Sequence, residues 1–205
     1  MTHDKPSLMS AIELVRHLRG GGAALLPTDT LPALAAVPDH AAQIWTLKQR
    51  PQEKPLILMA AQADQLLALT SEDARIDAQP LARRFWPGAL TLVLPVQGRL
   101  TQSLNPGQGT LGMRIPDCDL TRALLMQSGP LATTSANPSG APPSQNAAEA
   151  AAAFPDLPLL APLPWPQTSG LASTVIGWKS PGCWQLLRQG AVMVDVIERS
   201  PPCSG

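Results

Sequence analysis

The sequence predicts an α/β protein, a sandwich built on a mixed sheet, and two observations carry that prediction. Short apolar runs of strand length alternate along the chain with segments of helical period, and parallel neighbours in a sheet need such helical crossovers. The last two runs follow each other with no helix between them, as an antiparallel pair does. With 205 residues, 44% of them apolar, the chain can fill one substantial core and is not disordered. One domain over residues 1–205 is the default, with a core from about 8 to 194 and a tail from about 195. Two domains are the alternative.

In chain order, Ser7 is placed to cap a helix whose Leu8, Ile12, Val15 and Leu18 share one face, and Gly20-Gly21-Gly22 ends it. Residues 23–26 read as a buried strand ending at Pro27. Residues 31–37 read as its return, with Pro32 confining them to a sheet edge or a bulge. Asp39 is expected to cap a helix carrying Ile44, Trp45 and Leu47, which ends near Lys48 and is closed by Pro51. Residues 56–59 form a further short strand, 64–69 a short helix, and 80–86 a helix with proline near its start and Pro87-Gly88 after its end. Strands over 89–94, 110–115, 131–134, 173–176 and 184–187, with helices over 120–127 and 144–154, complete the pattern. Residues 155–166, rich in proline and leucine, read as a semi-rigid surface loop.

Lys plus Arg equals Asp plus Glu at 15 each, which argues against a protein that coats nucleic acid by bulk charge, so any anion site must be local. Cys118, Cys183 and Cys203 lie far apart, form no CxxC pair and leave an odd number, a usage that suits a reducing compartment. Residues 1–19 carry Asp4, Glu13, Arg16 and Arg19 among their apolar positions, so they hold neither a signal-peptide core nor a spanning segment. The expectation is a cytoplasmic, soluble protein with no membrane contact.

Several motifs fail on context. Residues 107–112, GQGTLG, match GxGxxG literally, yet Asn105-Pro106 precedes them where a dinucleotide fingerprint needs a strand, so they read as a turn entering a strand. There is no GxxxxGK[ST] loop. His3, His17 and His40 lack zinc-ligand spacing and read as surface residues, with no metal site expected. Pro138 excludes glycosylation at Asn137.

What remains is a set of cations and small hydroxyls at the ends of elements, where binding loops of α/β proteins converge. In Pro27-Thr28-Asp29-Thr30 two hydroxyls and a carboxylate could grip an amino acid, or simply form a turn. Lys48, Arg50 and Lys54 crowd a helix end, where the dipole favours cations; between Pro51 and Pro55 a stiff loop can also hold them as an anion clamp. As loop charges, Lys48 and Arg50 are expected to matter for turnover and not for folding. Residues 133–140, TTSANPSG, set more donors at one strand end than a turn requires. Thr110, Gly112 and Arg114 share a strand face, the glycine leaving space between the polar pair, while Ser173 and Thr174 open another strand and Arg188 follows a third.

Taken in order, LLPTDT, LKQRPQEKPLIL, FWPGALTLVLP, LGMRIPD, PLATTSANPSG and STVIG followed by LLRQGAV resemble the YrdC-like threonylcarbamoyl-AMP synthase family, over residues 25–192. The resemblance implies a YrdC-like twisted mixed β-sheet sandwich with helices on its faces and a basic concave cavity. It implies formation of L-threonylcarbamoyladenylate and pyrophosphate from L-threonine, bicarbonate and ATP with Mg²⁺, for a downstream threonylcarbamoyl-transferase complex that modifies adenosine 37 of tRNA. It makes Lys48, Arg50 and Lys54 catalytic. Lys48, Arg50, Thr110, Asn137, Ser144 and Arg188 then lie on the nucleotide side, and Thr30, Arg114, Ser135 and Ser173 on the threonine side. The chain departs from the family pattern at Leu31-Pro32-Ala33-Leu34, where an aromatic residue and a glycine are usual, at Ala172, where an acid is common, and at Gln189, where proline is. The alternative is a non-catalytic module for double-stranded RNA or tRNA using the same cations; a third reading is a carbamoyl-transfer or hydrogenase-maturation relative, which the lack of cysteine-rich zinc motifs opposes.

Overall fold

The computed structural model describes residues 7–195; His3, Cys203 and the expected tail lie outside them. The strands are β1 (Leu8–Met9), β2 (Ala23–Leu26), β3 (Ala33–Ala36), β4 (Ile57–Met59), β5 (Leu90–Pro95), β6 (Thr110–Arg114), β7 (Leu131–Ser135), β8 (Leu159–Leu160), β9 (Thr174–Ser180) and β10 (Cys183–Arg188). They form one mixed sheet in the order β1-β8-β2-β3-β7-β4-β6-β5-β9-β10. The helices are α1 (Ala11–Arg19), α2 (Ala42–Lys48), α3 (Ala63–Leu67), α4 (Glu72–Phe85), α5 (Arg99–Leu104), α6 (Asp119–Ser128) and α7 (Ala147–Ala153).

Strand side chains alternate between faces, and that alternation sorts the core into two layers. On β2, Ala23 and Leu25 pack with Ile44 and Trp45 of α2 and Leu81 of α4. Ala24 and Leu26 pack on the other side with Leu14 and Leu18 of α1 and Leu124 and Leu125 of α6. With both faces covered, β2 and β3 are buried at every position, which is why their sequences are uniformly apolar rather than alternating.

Several expectations need correction. β3 lies inside the sheet between β2 and β7, not at an edge; Pro32 stands one residue before the strand, so its missing N–H removes no ladder bond, and its carbonyl accepts from Ala136 N at 2.8 Å. Ser10 rather than Ser7 caps α1, in a capping box with Glu13, and Leu8 goes to the edge strand β1. Asp39 sits in a 3₁₀ turn, Pro38–His40, and pairs with Arg99 at 3.4 Å, while α2 begins without a side-chain cap. Pro80 lies in the interior of α4, whose first half buries only the small Ala74 and Ala78, too weak an apolar stripe to read. Helix α5 buries only Thr101 and Leu104 and shows no periodicity in sequence. Residues 155–166 are not wholly surface: β8 pairs in parallel with β1 and β2, and Trp165 is buried with Nε1 donating to Leu160 O at 2.8 Å. Helix α7 starts at Ala147, capped by Asn146, and leaves Ser144 in the preceding loop. His17 is half-buried with Nε2 3.0 Å from Ala23 O. Among the described residues no helix is long and apolar enough to cross a membrane.

Leu34, fully buried in central β3, is expected to lose about 2–5 kcal/mol on Leu34→Ala, whereas Leu171→Ala, at a position 58% exposed, is expected to stay within about 0.5 kcal/mol. Urea unfolding monitored by tryptophan fluorescence measures both.

Candidate active site

A cavity of about 340 Å³ opens over the middle of the sheet, where β3, β7, β4 and β6 lie side by side. Its floor follows from strand register, because partners directly opposite one another share a face. Ala33 stands opposite Ser135, Ile57 opposite Thr133, and Met59 opposite Arg114, and all six line the cavity. Loops supply the rim: Thr30 after β2, Arg50 after α2, Asn137 and Pro143 after β7, Ser173 before β9, and Arg188 at the end of β10. Three guanidinium groups thus face one hollow, and no carboxylate is among its described lining residues.

Arg114 is 3% exposed. Its Nε donates to Gly88 O at 2.9 Å, Nη1 to Thr30 Oγ1 at 2.7 Å and Nη2 to Asp29 Oδ1 at 2.6 Å. Burial draws its pKa below the ordinary guanidinium range, and Asp29 opposes that shift. Asp29 also accepts from Asp117 N at 3.0 Å. It faces Arg114 rather than the hollow, so the carboxylate read in the sequence as a possible ligand grip holds a protein cation instead.

At the end of α2 the chain reverses through Gln49, in the left-handed conformation at φ 50°. That reversal sends Lys48 inward and brings Arg50 to the rim. Lys48 is 1% exposed, against the expectation of a loop charge, because its ammonium runs beneath the segment after β7: Nζ donates to Ser135 O and lies 3.4 Å from Asn137 Oδ1. Ser135 Oγ donates to the same Oδ1 at 2.6 Å, and Ser139 N to Lys48 O at 3.0 Å. Lys48 therefore supports the wall and does not line the cavity. Burial first, then the charge of Arg50, brings its pKa from the usual 10.5 down to about 8. Arg50 donates through Nη1 to Thr134 Oγ1 at 3.2 Å and through Nη2 to Pro55 O at 3.0 Å, and its buried Nε–H has no partner among the described residues. Burial lowers its pKa too.

Ser173 is held from two sides, by Thr91 Oγ1 at 2.9 Å and by Arg188, which donates to its carbonyl through Nη2 at 2.9 Å and to its hydroxyl at 3.2 Å. The chain passes close beneath it: a Cβ at Gly190 would lie 2.2 Å from Ala172 O, so this position admits glycine alone. Gln189 is exposed and bonds outward to Gly190 O and Val192 O, away from the hollow.

The cavity thus gathers Thr30, Arg50, Arg114, Ser135, Asn137, Ser173 and Arg188. Besides Lys48, three expected site residues stand outside its lining. Lys54 is exposed. Thr110 pairs with Pro95 at the far end of β6. Ser144 is buried with its hydroxyl donating to Ala136 O at 2.5 Å. The space expected beside Gly112 is filled, since Ile57 Cγ2 lies 2.8 Å from where a Cβ would stand. Sequence reasoning missed Thr91 and Met59, and the only signal for them is the pairing of β5 and β4 with site strands, which one chain does not print. A larger cavity of about 790 Å³ adjoins across Pro32, lined by Leu163, Trp165 and amide side chains. It holds no charged lining residue.

Comparison with known proteins bears on what such a hollow does. The profile of the Sua5–YciO–YrdC family, described as "Telomere recombination", matches residues 16–190. The chain is 38% identical over 147 residues to the Threonylcarbamoyl-AMP synthase of Bacillus subtilis, covering 69% of this chain and 41% of that protein. It is 37% identical to that of Chromohalobacter salexigens, covering 69% and 78%. The crystal structure of Pyrococcus abyssi Sua5 complexed with L-threonine superposes with a TM-score of 0.83 at 32% identity, covering 94% of this chain and 57% of that one. The chain thus spans about two fifths of the Bacillus relative's length.

Lys48 loses its proton near pH 8 when folded and near 10.5 when unfolded, so between those values the unfolded chain binds more protons and stability rises with pH. Urea unfolding across pH 8 to 10.5 is expected to show wild type gaining stability relative to Lys48→Met, which lacks the titration.

Proposed function

The chain belongs to the Sua5–YciO–YrdC family, and on that premise we propose that it forms L-threonylcarbamoyladenylate and pyrophosphate from L-threonine, bicarbonate and ATP. The observation that carries the proposal is the convergence of Arg50, Arg114 and Arg188 on one small hollow floored by hydroxyls. Guanidinium forks match carboxylate and phosphate oxygens, and the substrates carry both. The names of the curated relatives and the threonine held by the Pyrococcus protein support the same reading.

In the proposed reaction the threonine nitrogen bonds to the carbon of bicarbonate with loss of water. A carbamate oxygen then attacks the α-phosphorus of ATP, and the bond to the β-phosphate oxygen breaks to release pyrophosphate. Two anions must approach, so fixed cations lower the barrier by offsetting their repulsion. Arg50 and Arg188 take the phosphates in this scheme, Arg114 takes the threonine carboxylate, and Lys48 holds Ser135 and Asn137 in place from behind. Mg²⁺ enters as the counter-ion of the triphosphate. Thr110, Ser144 and Lys54 are left with no contact to the reacting groups. The adenylate is proposed to pass, in the cytoplasm, to a threonylcarbamoyl-transferase complex acting on tRNA. An RNA-binding module would need its cations on an open face, whereas these three arginines face a hollow of about 340 Å³.

Incubation with ATP, bicarbonate and threonine is expected to release pyrophosphate, and omitting threonine to abolish it. Arg50→Ala and Arg188→Ala are each expected to lower kcat/KM about 100- to 1,000-fold with the melting temperature held. Full activity in both variants would remove the cationic hollow from the mechanism.

A further inference from the structure

Arg188 stands at the end of the edge strand β10, past a slip in the ladder: Leu186 lies opposite Ile176 and Arg188 opposite Val175, which leaves Leu187 unpaired. Strand pairing alone therefore does not set its direction. Its guanidinium folds back on Ser173, donating to the carbonyl through Nε at 3.2 Å and Nη2 at 2.9 Å, and to the hydroxyl through Nη2 at 3.2 Å. Nη1 makes no bond among the described residues, which leaves its two N–H groups for an anion in the cavity that Arg188 lines. The backbone N–H groups of the turn that follows, residues 189–192, are bonded to the start of β9. Gly190 N and Val192 N donate to Thr174 Oγ1 at 3.0 and 3.2 Å, and Ala191 N donates to Ala172 O at 2.9 Å. The Thr174 hydroxyl gives its own proton to Val192 O at 2.6 Å. One donation and two acceptances use the whole capacity of a hydroxyl, and Thr174 is fully buried and absent from the cavity lining.

We infer that Thr174 is a positioning residue for Arg188, holding the turn after β10 against the start of β9 so that the free end of the guanidinium faces the phosphates of ATP. Three consecutive residues make the clasp: Ala172 O takes Ala191, Ser173 O takes Arg188 itself, and Thr174 Oγ1 takes Gly190 and Val192. Gly190 lets the turn lie this close, since a Cβ there would stand 2.2 Å from Ala172 O. Without the hydroxyl, two N–H groups and a carbonyl lose the partner they share, the turn lifts toward water to replace it, and Arg188, directly before the turn, swings off Ser173. Gln189 secures the same turn from outside, its exposed amide donating to Gly190 O at 3.1 Å and Val192 O at 3.0 Å. This inference rests on the synthase reading for the identity of the anion, and it goes beyond that reading by giving a role to a residue that touches no substrate.

The test uses the full chain, with calorimetric titration of ATP, kcat/KM for ATP, and melting temperatures as the check on folding. Thr174→Val, which keeps the shape and loses the hydroxyl, is expected to weaken ATP binding about tenfold or more, and Thr174→Ser, which keeps the hydroxyl, to stay within about twofold of wild type. In an Arg188→Ala background the group being positioned is gone, so adding Thr174→Val is expected to change ATP binding by no more than about twofold. Gln189→Ala, at an exposed position, is expected to weaken ATP binding about threefold, again only while Arg188 is present. Unchanged ATP affinity in folded Thr174→Val, an equal loss in Thr174→Ser, or an effect that adds in full to that of Arg188→Ala overturns the inference. If Thr174→Val does not fold, unchanged ATP affinity in Gln189→Ala overturns it instead. Wild type that binds ATP yet releases no threonine-dependent pyrophosphate overturns the synthase reading, and the role of Thr174 is then decided on ATP affinity alone.

Discussion

Arg114 ties together parts of the chain that are far apart in sequence. Its backbone closes β6 opposite Met59, and its guanidinium is caught by the carbonyl of Gly88, which precedes β5, and by Thr30 and Asp29, which follow β2. A guanidinium withdrawn from water is tolerated only when its donors and its charge are met. Here the ion pair with Asp29 supplies the charge and three acceptors fix the plane of the group. The β2–β3 turn is thereby held at Asp29 and Thr30, which places Thr30 on the cavity rim.

Lys48 is a second buried cation, on the opposite side of the floor, and it is handled differently. No ion pair with it occurs among the described residues. A carbonyl and an amide oxygen receive its protons, and its pKa falls toward neutrality. Together with Arg50, whose Nε–H is buried and unmet, this leaves the wall with more positive charge than its protein partners offset. An anionic ligand would supply what the fold withholds, and a site preorganised in that way would stabilise developing negative charge without rearranging. The cost falls on stability, as it does where function needs unsatisfied groups.

The departures from the family pattern divide by location. Pro32 and Ala33 are buried and line the hollow, so they bear on its shape. Gln189 points outward, and the neighbouring Gly190 keeps the close approach to Ala172 O. Glycine there is a packing requirement independent of any ligand.

The sequence alone makes legible the α/β class, most strand positions, the family, and the hydroxyl- and cation-bearing loops, because strand period, apolar runs and ordered motifs are local signals. It could not show that β3 is central, that β8 exists or that α4 begins at Glu72, since two-residue strands and alanine-faced helices leave no periodic trace. Nor could it separate Lys48, beneath the wall, from Arg50, on it, or show that Asp29 faces a cation and not a ligand. Which way a polar side chain points depends on partners 84 to 89 residues distant, and only the register of paired strands brings those partners within hydrogen-bond reach.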